Sequence, residues 1–141
     1  MRLRKGLILL CGDKMEKQKK PVIYIVDDDE SVRRAMKRLF LSIGMDVRIF
    51  ASAQGFLKYK YREKNSCMIV DIKLEGKSGL ELQDELRARG SKLPVIFITG
   101  YDTPETRDQA KKSGAAGYFR KPIDDQALLD SIHWALAKQT Q

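Results

Sequence analysis

Short apolar runs alternate along the chain with amphipathic stretches. Runs rich in β-branched residues are typical of strands that are buried on both faces of a sheet. They predict five strands, at Val22–Val26, Asp46–Phe50, Cys67–Val70, Pro94–Thr99 and Gly117–Arg120. Apolar residues spaced by three and four predict helices between and after the strands. These helices are expected at Ser31–Ile43, from Ser52 onward, and at Gly79–Arg89, Pro104–Ser113 and Asp124–Lys138.

The predicted helices differ in the strength of their apolar faces. The first helix has the most regular face, and Gly44 is a suitable C-terminal stop. Its apolar positions are Val32, Ala35, Met36, Leu39, Phe40 and Ile43. The fourth helix is the weakest, because Ala110 is its only clearly apolar residue. We expect a helix with so little apolar surface to bury to be mobile.

Five strands that alternate with five helices predict a single α/β domain. Consecutive parallel strands need right-handed helical crossovers, which cover both faces of the sheet. The expected fold over residues 21–141 is a doubly wound, flavodoxin-like (βα)5 domain. Its five-stranded parallel sheet is expected to have the strand order 2-1-3-4-5.

Composition agrees with this fold and excludes several classes of protein. Of the 141 residues, 43% are hydrophobic and 33% are charged, which excludes a collagen-like or wholly disordered chain. No apolar run approaches the roughly 20 residues of a membrane-spanning helix. The two cysteines, Cys11 and Cys67, make neither a disulfide framework nor a zinc cluster, so we expect a reducing, cytoplasmic location.

The net charge of +8 is concentrated near the N-terminus. Residues 1–20 contain seven basic and two acidic residues, whereas residues 21–141 contain 20 basic and 17 acidic residues. We expect residues 1–20 to be a disordered basic extension, with Met15 as an alternative start. The apolar run Leu7–Cys11 is shorter than the roughly 7–15 residues of a signal-peptide core, which disfavours export. Specific binding to nucleic acid is not expected, because the chain has no predicted recognition helix.

Polar residues collect where the predicted strands end. In doubly wound sheets the functional site lies beyond the carboxyl ends of the strands. The first strand is followed by Asp27 and Asp28, the third by Asp71, the fourth ends in Thr99, and the fifth is followed by Lys121. Because the first and third strands are neighbours in the expected order, their carboxylates must lie close together.

Three neighbouring carboxylates repel one another unless a cation lies among them. Mg²⁺ suits such oxygen ligands, and its charge together with that of Lys121 balances the three carboxylates. A phosphoryl group would be stabilised by Mg²⁺, the Lys121 ammonium and the Thr99 hydroxyl. Asp71 would then be the nucleophile and form an aspartyl phosphate. In contrast, we expect Asp29 and Glu30 to cap the first helix.

Four segments together resemble the receiver domain of two-component response regulators. They read VIYIVDDDESVR, CMIVDIKLEGKSGLEL, LPVIFITGY and AAGYFRKPI, and the resemblance covers about residues 21–137. It implies a phosphorylation-controlled signalling switch rather than an enzyme. A sensor histidine kinase or a phosphotransfer protein would supply the phosphoryl group. Many such receivers precede a helix-turn-helix output module, through which the switch would control transcription.

The resemblance also implies a role for each residue around the metal. Asp71 would be the phosphoacceptor, and Asp28 and Asp71 would be direct Mg²⁺ ligands. Asp27 would act largely through water, and the backbone carbonyl of Lys73 would complete the protein ligands. Lys73 and Tyr101 would flank the phosphoryl group, and bulky Tyr101 is predicted to hinder the attacking water and lengthen the phosphorylated lifetime.

A second set of implied roles concerns the switch. Thr99 would be the switch hydroxyl, and Tyr118 would be the switch aromatic or, alternatively, an edge-strand packing residue. Lys121 would pair with the acceptor and then with the phosphate, and its bond to Pro122 is expected to be cis. Phosphorylation would alter the face made by the fourth helix, fifth strand and fifth helix. We expect that face to bind a partner or a second copy of the chain, and Trp134 to serve in packing or partner contact.

Other functions fit the sequence less well. An interaction module that works without phosphorylation is disfavoured by the full set of acceptor, metal and switch residues. A hydrolase of the haloacid-dehalogenase type is matched weakly, because Asp27, Asp29 and Ser31 form an Asp-x-Asp-x-Ser pattern. The separate acceptor at Asp71 and the lack of a cap domain argue against it. One departure from the receiver pattern is Leu74-Glu75, where the family usually has Met-Pro, and it removes no ligand.

Overall fold

A five-stranded parallel sheet forms the centre of the computed structural model, which describes residues 20–139. Its order is β2-β1-β3-β4-β5, and every neighbouring pair is parallel. The strands are β1 (Val22–Val26), β2 (Asp46–Phe50), β3 (Ser66–Asp71), β4 (Val95–Thr99) and β5 (Gly117–Arg120). The predicted fold class and strand order are therefore confirmed.

A helix follows each strand along the chain. The helices are α1 (Glu30–Ser42), α2 (Ala53–Leu57), α3 (Gly79–Ala88), α4 (Pro104–Lys112) and α5 (Asp125–Lys138). Their N-termini are capped by side chains, since the first backbone N–H groups of a helix lack partners within it. The capping residues are Asp29, Ser52, Ser78, Thr103 and Asp124. Several predicted boundaries differ from these by a single residue.

The helices cover both faces of the sheet and bury the alternate residues of each strand. On one face, α2, α3 and α4 pack over side chains such as Tyr24 and Phe97. On the other face, α1 and α5 pack over side chains such as Ile23 and Ile98. Ala110 is the only buried residue of α4, which confirms the prediction of a weak apolar face. The strand ends are thus fixed by a core on each side.

Two residues counted in the apolar face of the first helix, Ala35 and Ile43, are exposed and do not lie in the core. Ile43 is 44% exposed. The reason is that α1 ends at Ser42, and Ile43 is the C-cap, whose N–H donates to the carbonyls of Leu41 and Phe40. Gly44 follows with a φ of 88°, a left-handed conformation that turns the chain toward β2.

The predicted N-terminal extension lies outside the described residues, apart from Lys20. Within residues 20–139, no helix combines the length and the apolar character that crossing a membrane requires. Cys67 is a buried thiol in β3, and loss of hydration raises its pKa to about 12. It is therefore a packing residue rather than a reactive thiol.

Candidate functional site

Three carboxylates lie together at the carboxyl end of the sheet. Asp27 and Asp28 follow β1, and Asp71 ends β3. The strands β1 and β3 pair with each other, and Val26 aligns with Val70. One carboxylate oxygen from each residue lies within 4.8 Å of the others. The side chains of Asp27 and Asp71 are buried, whereas Asp28 is exposed. The structure thus brings these predicted residues together in a cluster that solvent reaches on the Asp28 side.

Lys121 contributes a positive charge to this cluster. Its Nζ donates to Oδ2 of Asp71 at 2.9 Å and to Oδ2 of Asp27 at 3.1 Å. The residue follows β5, and its backbone N–H donates to the carbonyl of Thr99 at 2.8 Å. The Lys121–Pro122 peptide bond is cis, as predicted. We call Asp27, Asp28, Asp71 and Lys121 the acceptor pocket.

Burial and ion pairing shift the pKa values of two pocket residues. Loss of hydration raises the pKa of Asp27, and the Asp29 N–H and the Lys121 ammonium oppose this shift only in part. Burial alone would lower the pKa of Lys121, but its hydrogen bonds to Asp71 and Asp27 outweigh burial and raise it. Lys121 therefore stays charged at neutral pH. A single ammonium facing three carboxylates leaves a set of oxygen ligands that fits a hard divalent cation such as Mg²⁺.

Backbone N–H groups orient two of the carboxylates. The N–H of Asp29 donates to Oδ1 of Asp27 at 2.9 Å, and that of Lys73 donates to Oδ1 of Asp71 at 3.0 Å. Arg33 of α1 donates from Nη1 to the backbone carbonyl of Asp27 at 2.6 Å. Arg33 was not predicted from the sequence, since its spacing does not distinguish it from its solvent-exposed neighbour Arg34.

Gly79, the first residue of α3, packs against the end of β3. Its N–H donates to the carbonyl of Ile72 at 2.9 Å. A Cβ at this position would lie 2.4 Å from the backbone oxygen of Asp71, which is too close for any side chain. The absence of a Cβ at Gly79 therefore lets α3 support the strand end that carries Asp71.

Thr99 ends β4 beside the pocket, but its hydroxyl bonds to the following loop. The N–H of Tyr101 donates to Oγ1 of Thr99 at 3.0 Å, and that hydroxyl donates to the carbonyl of Tyr101 at 3.1 Å. None of the hydrogen bonds within residues 20–139 joins Thr99 to Asp71. The structure places Thr99 at the pocket without a direct bond to the carboxylate.

The hydroxyl of Tyr118 on β5 bonds to residues of the β4–α4 loop and α4. It donates to Oδ1 of Asp102 at 2.8 Å and lies 3.2 Å from Oγ1 of Thr106. Arg107 forms a salt bridge with Asp102, and its guanidinium lies 6.0 Å from the centroid of the Tyr118 ring. The hydrogen bonds from Tyr118 and Arg107 lower the pKa of Asp102. We call these four residues the Tyr118 cluster.

The partners of Tyr118 were also missed by the sequence analysis. The available signal was the hydroxyl itself, because a partly buried tyrosine usually has a hydrogen-bond partner. The sequence alone did not show which of the polar residues between 102 and 108 would supply it. Burial is the largest cause of the raised pKa of Tyr118.

Lys73 and Tyr101 contact each other through their side chains. The Nζ of Lys73 lies 5.1 Å from the centroid of the Tyr101 ring, within the range of a cation–π interaction. Lys73 lies in the loop after β3 and Tyr101 in the loop after β4, so the contact joins the two loops that flank Asp71. Tyr101 is 63% exposed.

Comparisons with known proteins agree with the geometry. A family model described as the response regulator receiver domain matches residues 23–133. The transcriptional regulatory protein TdiR of Thauera aromatica is 41% identical over 115 residues, which are 82% of this chain and 51% of TdiR. Nodulation protein W of Bradyrhizobium diazoefficiens is 38% identical over 121 residues, which are 86% of this chain and 53% of that protein.

Solved structures give the same result. The low-resolution structure of the response regulator StyR matches with a TM-score of 0.80 at 37% identity, covering 86% of this chain and 62% of that one. The crystal structure of FixJ-N matches with a TM-score of 0.77 at 28% identity, covering 85% of this chain and 96% of that one. The chain spans about half the length of the curated relatives that it matches.

Proposed function

This chain belongs to the response regulator receiver domain family, and on that basis we propose that Asp71 is its phosphoacceptor in a two-component phosphorelay. The observation that carries the proposal is the position of Lys121, whose Nζ contacts Asp71 and Asp27 together next to Asp28. Residues 21–141 form the receiver domain in this proposal, and residues 1–20 form a basic extension.

Receiver domains bind Mg²⁺ at an acidic cluster of this kind, and the donor set of this pocket fits the ion. Asp28 and Asp71 would ligate it directly, Asp27 would act largely through water, and the backbone carbonyl of Lys73 would complete the protein ligands. Once bound, the ion neutralises negative charge on the phosphoryl oxygens.

The proposed chemistry is the transfer of a phosphoryl group from a phosphohistidine to Asp71. An oxygen of Asp71 attacks phosphorus, the phosphorus–nitrogen bond breaks, and its electron pair returns to the imidazole of the donor. Lys121 is already positioned by two carboxylates, so it can exchange one of them for a phosphoryl oxygen without leaving the pocket. Such a positioned cation stabilises charge as it develops in the transition state.

The response to phosphorylation is proposed to pass through Thr99 and Tyr118. The Thr99 hydroxyl must leave the backbone of Tyr101 to reach a phosphoryl oxygen. Tyr118 must leave Asp102 and Thr106 if its ring turns inward behind Thr99. The face made by α4, β5 and α5 would change as a result and bind a partner or a second copy of the chain.

The hydrolase alternative loses its support in the structure. Its motif would require Asp29 and Ser31 to face the reacting group. Instead, Oδ1 of Asp29 accepts hydrogen bonds from the N–H and the hydroxyl of Ser31, and Asp29 is the N-cap of α1. These two residues start a helix, and we propose a signalling role rather than an enzymatic one.

The relatives also indicate where the switch would act. TdiR and FixJ are transcriptional regulators, and we propose that the partner controlled by this receiver is an output module for transcription. The donor would be a sensor histidine kinase or a phosphotransfer protein, and the place of action would be the cytoplasm. We propose that the receiver itself binds no specific DNA sequence, since no recognition helix is predicted in it.

Incubation with acetyl phosphate, followed by intact-mass measurement, tests the proposal. We expect a mass gain of one phosphoryl group that requires Mg²⁺ and is absent in Asp71→Asn. Asp84→Asn is the matched control, because Asp84 is an exposed aspartate of α3 and should leave phosphorylation unchanged. A folded wild-type chain that gains no mass would support the phosphorylation-independent interaction module instead.

A further inference from the structure

A groove lies at the opposite end of the sheet from the acceptor pocket. Its volume is about 980 Å³, at the upper end of the usual range for ligand pockets. Residues that directly precede strands line it, among them Asn65 before β3, Pro94 before β4 and Ala116 before β5. The C-terminal half of α5 forms another wall. None of its lining residues belongs to the proposed phosphorylation chemistry.

Apolar side chains form a large part of the lining. Leu93, Pro94, Ala115 and Leu136 line the groove, and Trp134 of α5 stands beside them. Trp134 is 56% exposed, and the Nζ of Lys138 lies 4.7 Å from its ring centroid. An exposed tryptophan next to an apolar surface is the type of residue that contributes most to binding at protein interfaces.

Basic residues line the same groove. They are Lys64, Arg87, Lys92 and Lys138, against the single carboxylate of Glu63. Among residues 20–139, none of the three lysines forms a salt bridge. The carboxylate of Glu63 accepts a hydrogen bond from the backbone N–H of Lys92 at 3.0 Å. The groove therefore has a positive charge that the described part of the chain does not neutralise.

Hydrogen bonds fix the walls of the groove. Gln83 of α3 donates to the carbonyl of Ser113 at 3.2 Å, which ties α3 to the loop before β5. Gln139 donates to the carbonyl of Glu63 at 2.7 Å and accepts from the N–H of Ser66 at 3.2 Å. These bonds join α5 to the loop before β3. A groove with such walls is formed before any partner arrives, which lowers the cost of binding.

We propose that this groove binds an acidic segment of a partner protein that carries apolar side chains. The acidic residues complement the basic ones of the groove, and the apolar side chains cover the surface beside Trp134. Nucleic acid fits less well, since its phosphates would pair with the lysines but leave the apolar lining uncovered. This binding goes beyond the proposed function, because it involves neither Asp71 nor phosphorylation.

Selection of random dodecapeptides on phage, with the full 141-residue chain as bait, tests the proposal. We expect the enriched peptides to be acidic and to contain aliphatic or aromatic residues. Each peptide is then titrated into the chain, and the fluorescence of Trp134 is followed, since it is the only tryptophan. We expect saturable changes in emission that weaken as salt is added.

Charge reversal locates the binding site. The double variant Lys64→Glu, Lys92→Glu should weaken binding of a fluorescein-labelled peptide by about tenfold or more in an anisotropy titration. Trp134→Ala should weaken it similarly. The matched control is Lys58→Glu, Lys60→Glu, because it reverses two exposed lysines that lie outside the groove. Thermal unfolding establishes that each variant is folded.

Several outcomes would overturn the proposal. One is a selection that enriches no acidic peptide, and another is binding that survives reversal of the groove lysines. A U-rich RNA oligonucleotide that shifts Trp134 emission more strongly than every selected peptide would assign the groove to nucleic acid. None of these measurements uses acetyl phosphate. A negative result would therefore overturn the groove proposal without affecting the proposal that Asp71 is the phosphoacceptor.

Discussion

The acceptor pocket and the Tyr118 cluster lie at the same end of the sheet, yet different forces stabilise them. Asp27 and Asp71 are buried at the ends of the central strands β1 and β3, between the two halves of the core. Tyr118 lies half-buried on the edge strand β5, and its partners belong to the β4–α4 loop and to α4. Packing thus fixes the strand ends that carry the pocket carboxylates, and Lys121 and backbone N–H groups orient them. The cluster depends mainly on hydrogen bonds between side chains.

This difference suits the two proposed tasks. A phosphoacceptor and its counter-charge need a constant geometry, which strands buried on both faces provide. A switch needs two arrangements of similar free energy, and part-buried side-chain hydrogen bonds such as those of Tyr118 can be exchanged for bonds to water at little net cost. Because Ala110 is the only buried residue of α4, few apolar contacts oppose a shift of that helix.

Removal of the Lys121 ammonium should slow phosphorylation, and we expect this effect to be the largest. We expect Lys121→Ala to slow phosphorylation by acetyl phosphate about a hundredfold, the usual cost of losing a group that stabilises transition-state charge. Stopped-flow or quenched mass measurements give the rate. Lys58→Ala, an exposed lysine after α2, should leave the rate unchanged. An unaltered rate in folded Lys121→Ala would remove Lys121 from the proposed chemistry.

Gly79→Ala adds a methyl group beside the acceptor pocket, and Gly117→Ala adds one on the edge strand β5. We expect the first substitution to destabilise the fold more than the second. The Cβ of Gly79→Ala would meet the backbone oxygen of Asp71 at 2.4 Å, so β3 or α3 must move. At Gly117→Ala the nearest atom is Oγ of Ser131 at 2.7 Å, at the end of a side chain that can rotate.

We expect Gly79→Ala to lower the free energy of unfolding by about 1–3 kcal/mol, as overpacking does, and Gly117→Ala to lower it less. Urea titrations of the two variants give the comparison. Equal losses would show that the end of β3 is no more rigid than the edge strand.

Tyr101 is expected to control the lifetime of the phosphorylated form. Its ring contacts Lys73, whose backbone N–H donates to Asp71, and we predict that the ring hinders the attacking water. Tyr101→Ala should therefore lose phosphate several-fold faster, whereas Tyr101→Phe should keep the wild-type lifetime. Loss of the phosphoryl mass with time, after removal of acetyl phosphate, measures this rate. A variant with alanine that dephosphorylates no faster would refute the steric role.

The hydroxyl of Tyr118 should stabilise the unphosphorylated state by a smaller amount. Tyr118→Phe removes the hydrogen bonds to Asp102 and Thr106, and we expect a loss of about 0.5–1.5 kcal/mol in unfolding free energy. Phosphorylation should become a few-fold faster, since those bonds no longer oppose the switch. Tyr59→Phe is the control, because its hydroxyl makes no hydrogen bond within residues 20–139.

A double-mutant cycle separates the Tyr118–Asp102 bond from other effects of the two substitutions. The variants are Tyr118→Phe, Asp102→Ala and their combination. We expect the double variant to lose less unfolding free energy than the two single variants lose together, because both changes remove the same hydrogen bond. Fully additive losses would show that the bond contributes nothing to stability.

The contrast between pocket and cluster also explains what the sequence could predict. Asp27, Asp28, Asp71 and Lys121 were foreseen because apolar runs mark strand ends, and the strand order places those ends together. Periodicity does not specify which polar loop residue meets a given hydroxyl, since that depends on side-chain direction. The bonds of Tyr118 to Asp102 and Thr106, and the contact of Arg33 with β1, therefore required the structure.

The smallest expected effect concerns the pH dependence of the Tyr118 cluster. Tyr118 and Arg107 hold the pKa of Asp102 below its usual value of 3.8, so the folded state binds this proton less readily than the unfolded state. The charged carboxylate therefore stabilises the fold above the unfolded pKa, and its contribution is lost as pH falls through the lowered pKa. The stability difference between wild type and Asp102→Asn should be constant down to about pH 5 and shrink below about pH 4.

Unfolding by urea at several pH values measures this difference, and the other titrating groups cancel between the two proteins. Arg107→Gln sharpens the test, because loss of the guanidinium should raise the pKa of Asp102 and move the decline to higher pH. If instead the difference between wild type and Asp102→Asn were the same at all pH values, the charge of Asp102 would play no part. The cluster would then depend on uncharged hydrogen bonds, and the electrostatic part of the contrast between the two regions would fail.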